Sequence, residues 1–72
     1  MNIQMNVDEK QMLLATKESF INTFNEAVQK KASKAYLTSL HRTTRQEIIE
    51  INHAVGYLPE DGLNRLNKEW FK

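Results

Sequence analysis

An all-α fold, a small bundle of three to four helices, is what this sequence predicts, and three observations carry that expectation. The two Gly and the single Pro all fall in GYLPEDG, residues 56–62, so residues 1–55 contain no strong helix breaker. Apolar residues recur at helical spacing along most of the chain. Helix-start signatures stand at Asn6 and Thr44, each followed three residues later by Glu.

The first helix is expected to begin at Asn6, a good N-cap, with Glu9 as its capping-box partner and Asp8 beside the positive helix end. Leu13, Phe20, Phe24 and Ala27 then share one face, flanked by Ile21 and Val28. Lys30 and Lys31 suit the negative C-terminal end. Ser33 can cap a second, shorter helix carrying Ala35, Tyr36, Leu37 and Leu40; the alternative is one helix running through Ser33. A further helix is expected from Thr44, with Glu47 completing its box and Ile48, Ile51 and Val55 on its apolar side. Gly56 ends it, because Gly tolerates the positive φ of a helix terminus. YLPED turns the chain, and GLNRLNKEWFK reads as a short helix with Leu63, Leu66 and Trp70 on one face.

Ahead of these elements, MNIQMNV alternates apolar and polar residues, the period of a strand. A short N-terminal strand is one expectation, and a frayed terminus the other. Asn2, Gln4 and Asn6 are side chains of the type that pairs bidentately with adenine. A strand followed by helices resembles the opening of the ribbon-helix-helix family over residues 1–30, which implies a dimer whose paired strands read the major groove. That family's longer first helix and Gly-containing turn are not evident between Asp8 and Phe20. INTFNEAVQK, YLTSLHR and the ending EWFK also resemble small helical modulators of nucleoid protein, which implies modulation of a DNA-bound partner through protein contacts. The connecting segment is shorter here, and Arg45 stands where that family has an acid.

The chain's 72 residues suit one domain, residues 1–72, near the lower limit of independent folding. A core of this size supplies only about 3–5 kcal/mol, so small chains usually add a staple. With no Cys there is no disulfide, thiolate zinc site or Cys nucleophile. Self-association or a bound partner remains, and a homo-oligomer is expected. MNIQMNVDEKQ lacks the basic start and apolar run of a leader, and no stretch approaches the roughly 20 apolar residues of a membrane span. A soluble, cytoplasmic protein with no membrane partner is the expectation.

The net charge of +1 hides an asymmetry. Residues 27–46 carry Lys30, Lys31, Lys34, Arg42 and Arg45 with no acid, while the flanking segments are both net acidic. This basic middle can track phosphates or steer an acidic protein onto itself; the alternative is solvated surface. Tyr36, Tyr57 and Phe71 are candidate aromatic anchors beside it, whereas Trp70 is expected to close the core. The protein-binding candidates are therefore Lys30, Lys31, Lys34, Tyr36, Arg42, Arg45, Tyr57 and Phe71. For DNA they are Asn2, Gln4, Asn6, Lys30, Lys34, Arg42 and Arg45.

Catalysis is not expected. His41 and His53 are the only histidines, and neither a P-loop nor a nucleophile-elbow motif is present. Glu50-x-x-His53, with Glu47 a turn earlier, has half the spacing of a di-metal carboxylate bundle, but its partners are missing and it sits on a polar face. No metal or cofactor is expected. The first expectation is a non-enzymatic helical regulator or inhibitor that binds an acidic protein; the second is a dimeric DNA-binding regulator.

Overall fold

The computed structural model describes residues 6–71, which form a helical hairpin: α1 (Val7–Gln29) and α2 (Lys34–Val55), then a C-terminal segment with two 3-10 turns, Leu63–Arg65 and Glu69–Phe71. This corrects the expected bundle of three to four helices. Ser33 does cap a helix, its hydroxyl accepting from the Tyr36 amide at 3.2 Å. That helix then continues through Thr44 instead of restarting there. With no Gly or Pro between Ser33 and Val55, nothing stops propagation, and Thr44 is buried mid-helix rather than capping. The last expected helix is replaced by single 3-10 turns, because Leu66 is extended (φ −74°, ψ 129°) and breaks the run.

The ends of α1 and α2 follow from local chemistry. The Asn6 carbonyl oxygen of the side chain accepts from the Glu9 amide at 2.8 Å, and its Nδ2 donates to Glu9 Oε1 at 3.1 Å. Asn6 therefore serves as a cap, and Val7 already belongs to α1. Among the described residues there is no strand; Met1 to Met5, which carry most of the alternation along with Asn2 and Gln4, lie outside them. Gly56 takes φ 81° at the end of α2, and the Tyr57 amide closes the corner on the Asn52 carbonyl at 2.8 Å.

One face of the hairpin forms the core. Ile21 and Phe24 from α1, Leu37 and Ile48 from α2 and Leu66 from the C-terminal segment are buried together, with Leu63 and Trp70 packed against them. Burial of each such side chain is worth about 1.5–3 kcal/mol. The C-terminal segment thus acts as a lid over one side of a two-helix hairpin.

Polar contacts fix where that segment lies. Lys17 interrupts the apolar face of α1 yet is buried. Its Nζ donates to Asn52 Oδ1 at 2.6 Å and Asp61 Oδ2 at 2.7 Å, and lies 5.2 Å from the Tyr57 ring centroid. Asn52, fully buried, uses its Nδ2 to donate to the Pro59 and Asp61 carbonyls at 2.9 and 3.0 Å. Gly62 has to be Gly: its φ is 86°, and a Cβ there would come 3.1 Å from Lys17 Cε. Further along, the Asn25 side chain donates to the Arg65 carbonyl at 3.1 Å and accepts from the Asn67 amide at 2.8 Å. Glu18 and Arg65 pair through both guanidinium nitrogens on the surface.

Replacing Asn52 by Ala removes three side-chain hydrogen bonds and leaves buried polar partners unsatisfied. Urea unfolding should show a loss of about 3 kcal/mol. A loss no larger than that of an exposed Asn, such as Asn22→Ala, would mean the segment is held by apolar contacts alone.

Candidate partner-binding surface

The C-terminal lid places Trp70 in the middle of an aromatic cluster. Phe24 sits under it with ring centroids 5.8 Å apart at 75°, and His41 lies beside it at 5.4 Å and 47°. His41 also meets the Phe24 edge at 5.4 Å, and Phe71 stands 5.6 Å from Trp70 at 83°. Edge-on contacts of this kind add about 0.5–1.5 kcal/mol beyond burial. The indole N–H is buried with no acceptor among the described residues, so ring packing holds Trp70 here against a polar penalty. Phe71 is 72% exposed.

Cations flank this ridge on both sides. A hollow of about 330 Å³ on one flank is lined by Val28, Lys31, Lys34, Leu37, Glu69 and Trp70. On the other flank His41, Lys68, Trp70 and Phe71 enclose about 240 Å³. A neighbouring hollow adds Arg45 and Glu60 next to His41 and Lys68. Lys34, His41 and Arg45 share one side of α2 because they are spaced at whole helical turns. Among the described residues the ion pairs are Lys17–Asp61 and Glu18–Arg65. Lys31, Lys34, Arg45 and Lys68 are thus unpaired.

Lys31 is held in an unusual backbone state. It has φ 58°, the left-handed region that normally selects Gly at a helix end, and the Ala32 amide closes back on the Ala27 carbonyl at 3.1 Å. A side chain in that conformation costs about 1–2 kcal/mol. Such strain persists only where the surrounding structure holds the residue in place, here through the helix-end bonds of the Lys31 and Ala32 amides to the Val28 and Ala27 carbonyls.

The structure divides the sequence candidates. It brings Lys31, Lys34 and Phe71 together around Trp70 and sets Arg45 in the adjoining hollow beside His41 and Lys68. Arg42, one residue step from His41, projects from a different side of α2, and Lys30 and Tyr36 are exposed but line none of these hollows. Tyr57 is tied to the Lys17 clamp, with Lys10 Nζ 5.5 Å from its ring centroid. Asn6 caps α1, and Asn2 and Gln4 lie outside the described residues. Sequence reasoning missed Lys68 and His41 as members of the surface. The signal available for Lys68 was its place beside the aromatic pair in NKEWF; His41 required the fold.

Other groups offer less. A hollow of about 370 Å³ beside Tyr57 and Gly62 is lined by Lys17, Asp61, Glu18 and Arg65, which pair as Lys17–Asp61 and Glu18–Arg65. The Arg65 guanidinium holds the Glu18 carboxyl below its ordinary range. Glu50 accepts from Gln46 at 3.3 Å on an exposed face, and no cluster of three metal-ligating side chains occurs among the described residues. Among these residues no helix is long and apolar enough to cross a membrane.

Burial holds the His41 pKa below its ordinary 6.5, with Arg45 and Lys68 acting in the same direction. Folding therefore favours the neutral ring, and the unfolded chain binds the proton more readily. This stabilisation is complete above the ordinary His value and is lost as pH falls through the lower folded value. Stability followed by Trp70 fluorescence should drop over that mildly acidic window, and His41→Phe should flatten the drop. An identical pH profile in the variant would contradict the assignment.

No protein family, curated protein or solved structure matches the chain.

Proposed function

We propose that this chain is a non-enzymatic regulator or inhibitor that binds an acidic protein through the surface around Trp70 and Phe71. One observation carries the reading: three cations without an ion pair among the described residues, Lys31, Lys34 and Lys68, flank an aromatic ridge with an exposed Phe at its tip, and Arg45 stands next to Lys68 and His41 in the adjoining hollow. Aromatic anchors in a cationic rim bind through burial of the anchor, while the charges steer encounter and register. The partner chemistry that fits is an acidic segment with an apolar side chain for the His41–Lys68–Trp70–Phe71 hollow. Blocking by occlusion is the mechanism: the partner's own acidic surface is covered.

The ridge favours protein over nucleic acid as the ligand. Glu60 and Glu69 lie among the cations, where they repel a phosphate backbone but can pair with basic groups on a protein. Arg42 is displaced from Arg45, and Asn6 is engaged in capping, so these three candidates do not form one reading face. Dimeric DNA binding remains the alternative function that a duplex titration separates from this one.

Fluorescence anisotropy with a Glu-rich peptide bearing one Leu, and with mixed-sequence duplex DNA, tests the proposal. The peptide should bind more tightly than the duplex, and its affinity should weaken with salt. Arg45→Glu with Lys68→Glu should reduce peptide affinity about tenfold or more, a loss of about 1.4 kcal/mol, while Arg42→Glu changes it little. Lys31→Gly should raise stability by about 0.5 kcal/mol through relief of backbone strain and still weaken the peptide. Equal effects of Arg42 and Arg45, or tighter binding to duplex, would overturn the reading.

A further inference from the structure

We propose that the side of the hairpin opposite the C-terminal lid binds a second copy of this chain, α1 against antiparallel α1, giving a four-helix bundle. The lid covers one side of the two helices only. On the other side α1 and α2 leave a groove of about 230 Å³ lined by Thr16, Ser19, Phe20, Thr23, Leu40 and Thr44. The lining carries no charge, and its small hydroxyl residues allow a facing helix to approach closely. Phe20 and Leu40 are only partly buried there.

Charge and spacing identify the occupant as a second copy. Glu9, Met12, Thr16, Ser19, Thr23, Ala27 and Lys30 recur every three or four residues and form one stripe along α1. An acid stands at one end of that stripe and a base at the other. Antiparallel pairing about a two-fold axis near Ser19 and Phe20 sets Glu9 against Lys30 of the second copy. The same register sets Met12 against Ala27 and Thr16 against Thr23. Parallel pairing would instead oppose Glu9 with Glu9 and Lys30 with Lys30. Two large exposed apolar side chains also find cover this way. Met12 is 69% exposed and Tyr36 55% exposed. Each stands one turn before a groove residue of its helix, Thr16 on α1 and Leu40 on α2, which puts them at opposite ends of the groove. The antiparallel register brings Met12 of one copy to the Tyr36 end of the other. Asp8 and Glu26 border the stripe as a polar rim.

The area is adequate. A helix of 23 residues is about 34 Å long, and two helices side by side are about 18 Å wide, which gives roughly 600 Å² of face per copy. Stable interfaces bury about 600–1,000 Å² per partner. A chain without disulfides, with six buried apolar side chains among the described residues, gains from such a contact the staple it lacks. Lys34, Arg45, Lys68 and Trp70 lie on the lid side, so dimerisation leaves both basic ridges open. The dimer therefore stands or falls independently of the function proposed for those ridges.

Sedimentation equilibrium of the full chain tests this. The mass should approach twice the 8.4 kDa of one chain. Thr16→Glu with Thr23→Glu should return it to one chain, because like charges then face each other at both crossings. Thr16→Glu with Thr23→Lys should remain a dimer, because the antiparallel register now pairs opposite charges. Both positions are exposed, so circular dichroism should report unchanged helix in each variant. A wild-type monomer at millimolar concentration, or a dimer indifferent to the double-Glu variant, would overturn the interface. Dissociation of the Glu/Lys variant as complete as that of the double-Glu variant would overturn the antiparallel register.

Discussion

The ammonium group of Lys17 organises this molecule. Taking such a group out of water costs several kcal/mol unless hydrogen bonds and charge replace the lost hydration. Here Asn52, Asp61 and the Tyr57 ring replace it together. The arrangement is asymmetric: the Lys17 side chain is 6% exposed and that of Asp61 54%. Asn52 therefore supplies the buried half of the compensation and Asp61 the wet half. Because Asn52 and Asp61 also anchor the turn after α2, the same contacts decide where residues 57 to 71 lie.

That dependence reaches the surface. The C-terminal segment contains only three-residue 3-10 turns, too short to persist alone. Its position comes from the Lys17 clamp, the Asn25 clasp on the backbone at Arg65 and Asn67, and the insertion of Leu66 and Trp70 into the core. Lys68, Trp70 and Phe71 meet His41 and Arg45 only because the segment is docked. The hairpin thus acquires two unlike sides: one covered by the lid and carrying a basic, aromatic ridge, the other open, with a groove whose lining carries no charge.

Much of the fold was legible in the sequence. The caps at Asn6 and Ser33 and the stop at Gly56 follow from side-chain chemistry and stand where local rules put them. Thr44 misled because a Thr-x-x-Glu spacing arises by chance inside a helix, and only burial distinguishes the two situations. The 3-10 turns were unreadable as such, since Leu63, Leu66 and Trp70 satisfy helical spacing while tertiary docking decides the backbone. Lys17 and Asn52 left a usable trace: each is a polar residue on an apolar helical face. Pairing the two across the hairpin, however, required their positions in space. The same is true of the ridge, where Lys31, Lys34, Arg45 and Phe71 were visible as residue types but Lys68 and His41 joined them through the lid.

Amide hydrogen exchange at Asn67, whose N–H donates to the Asn25 side chain, measures most directly whether the lid is an integral part of the fold. If the polar clamp fixes the segment as described, this amide exchanges only through global unfolding, with protection matching that of Ile48 in the middle of α2. Exchange orders of magnitude faster at Asn67 than at Ile48 would show that the lid opens independently, and that the ridge built on it is not a standing surface.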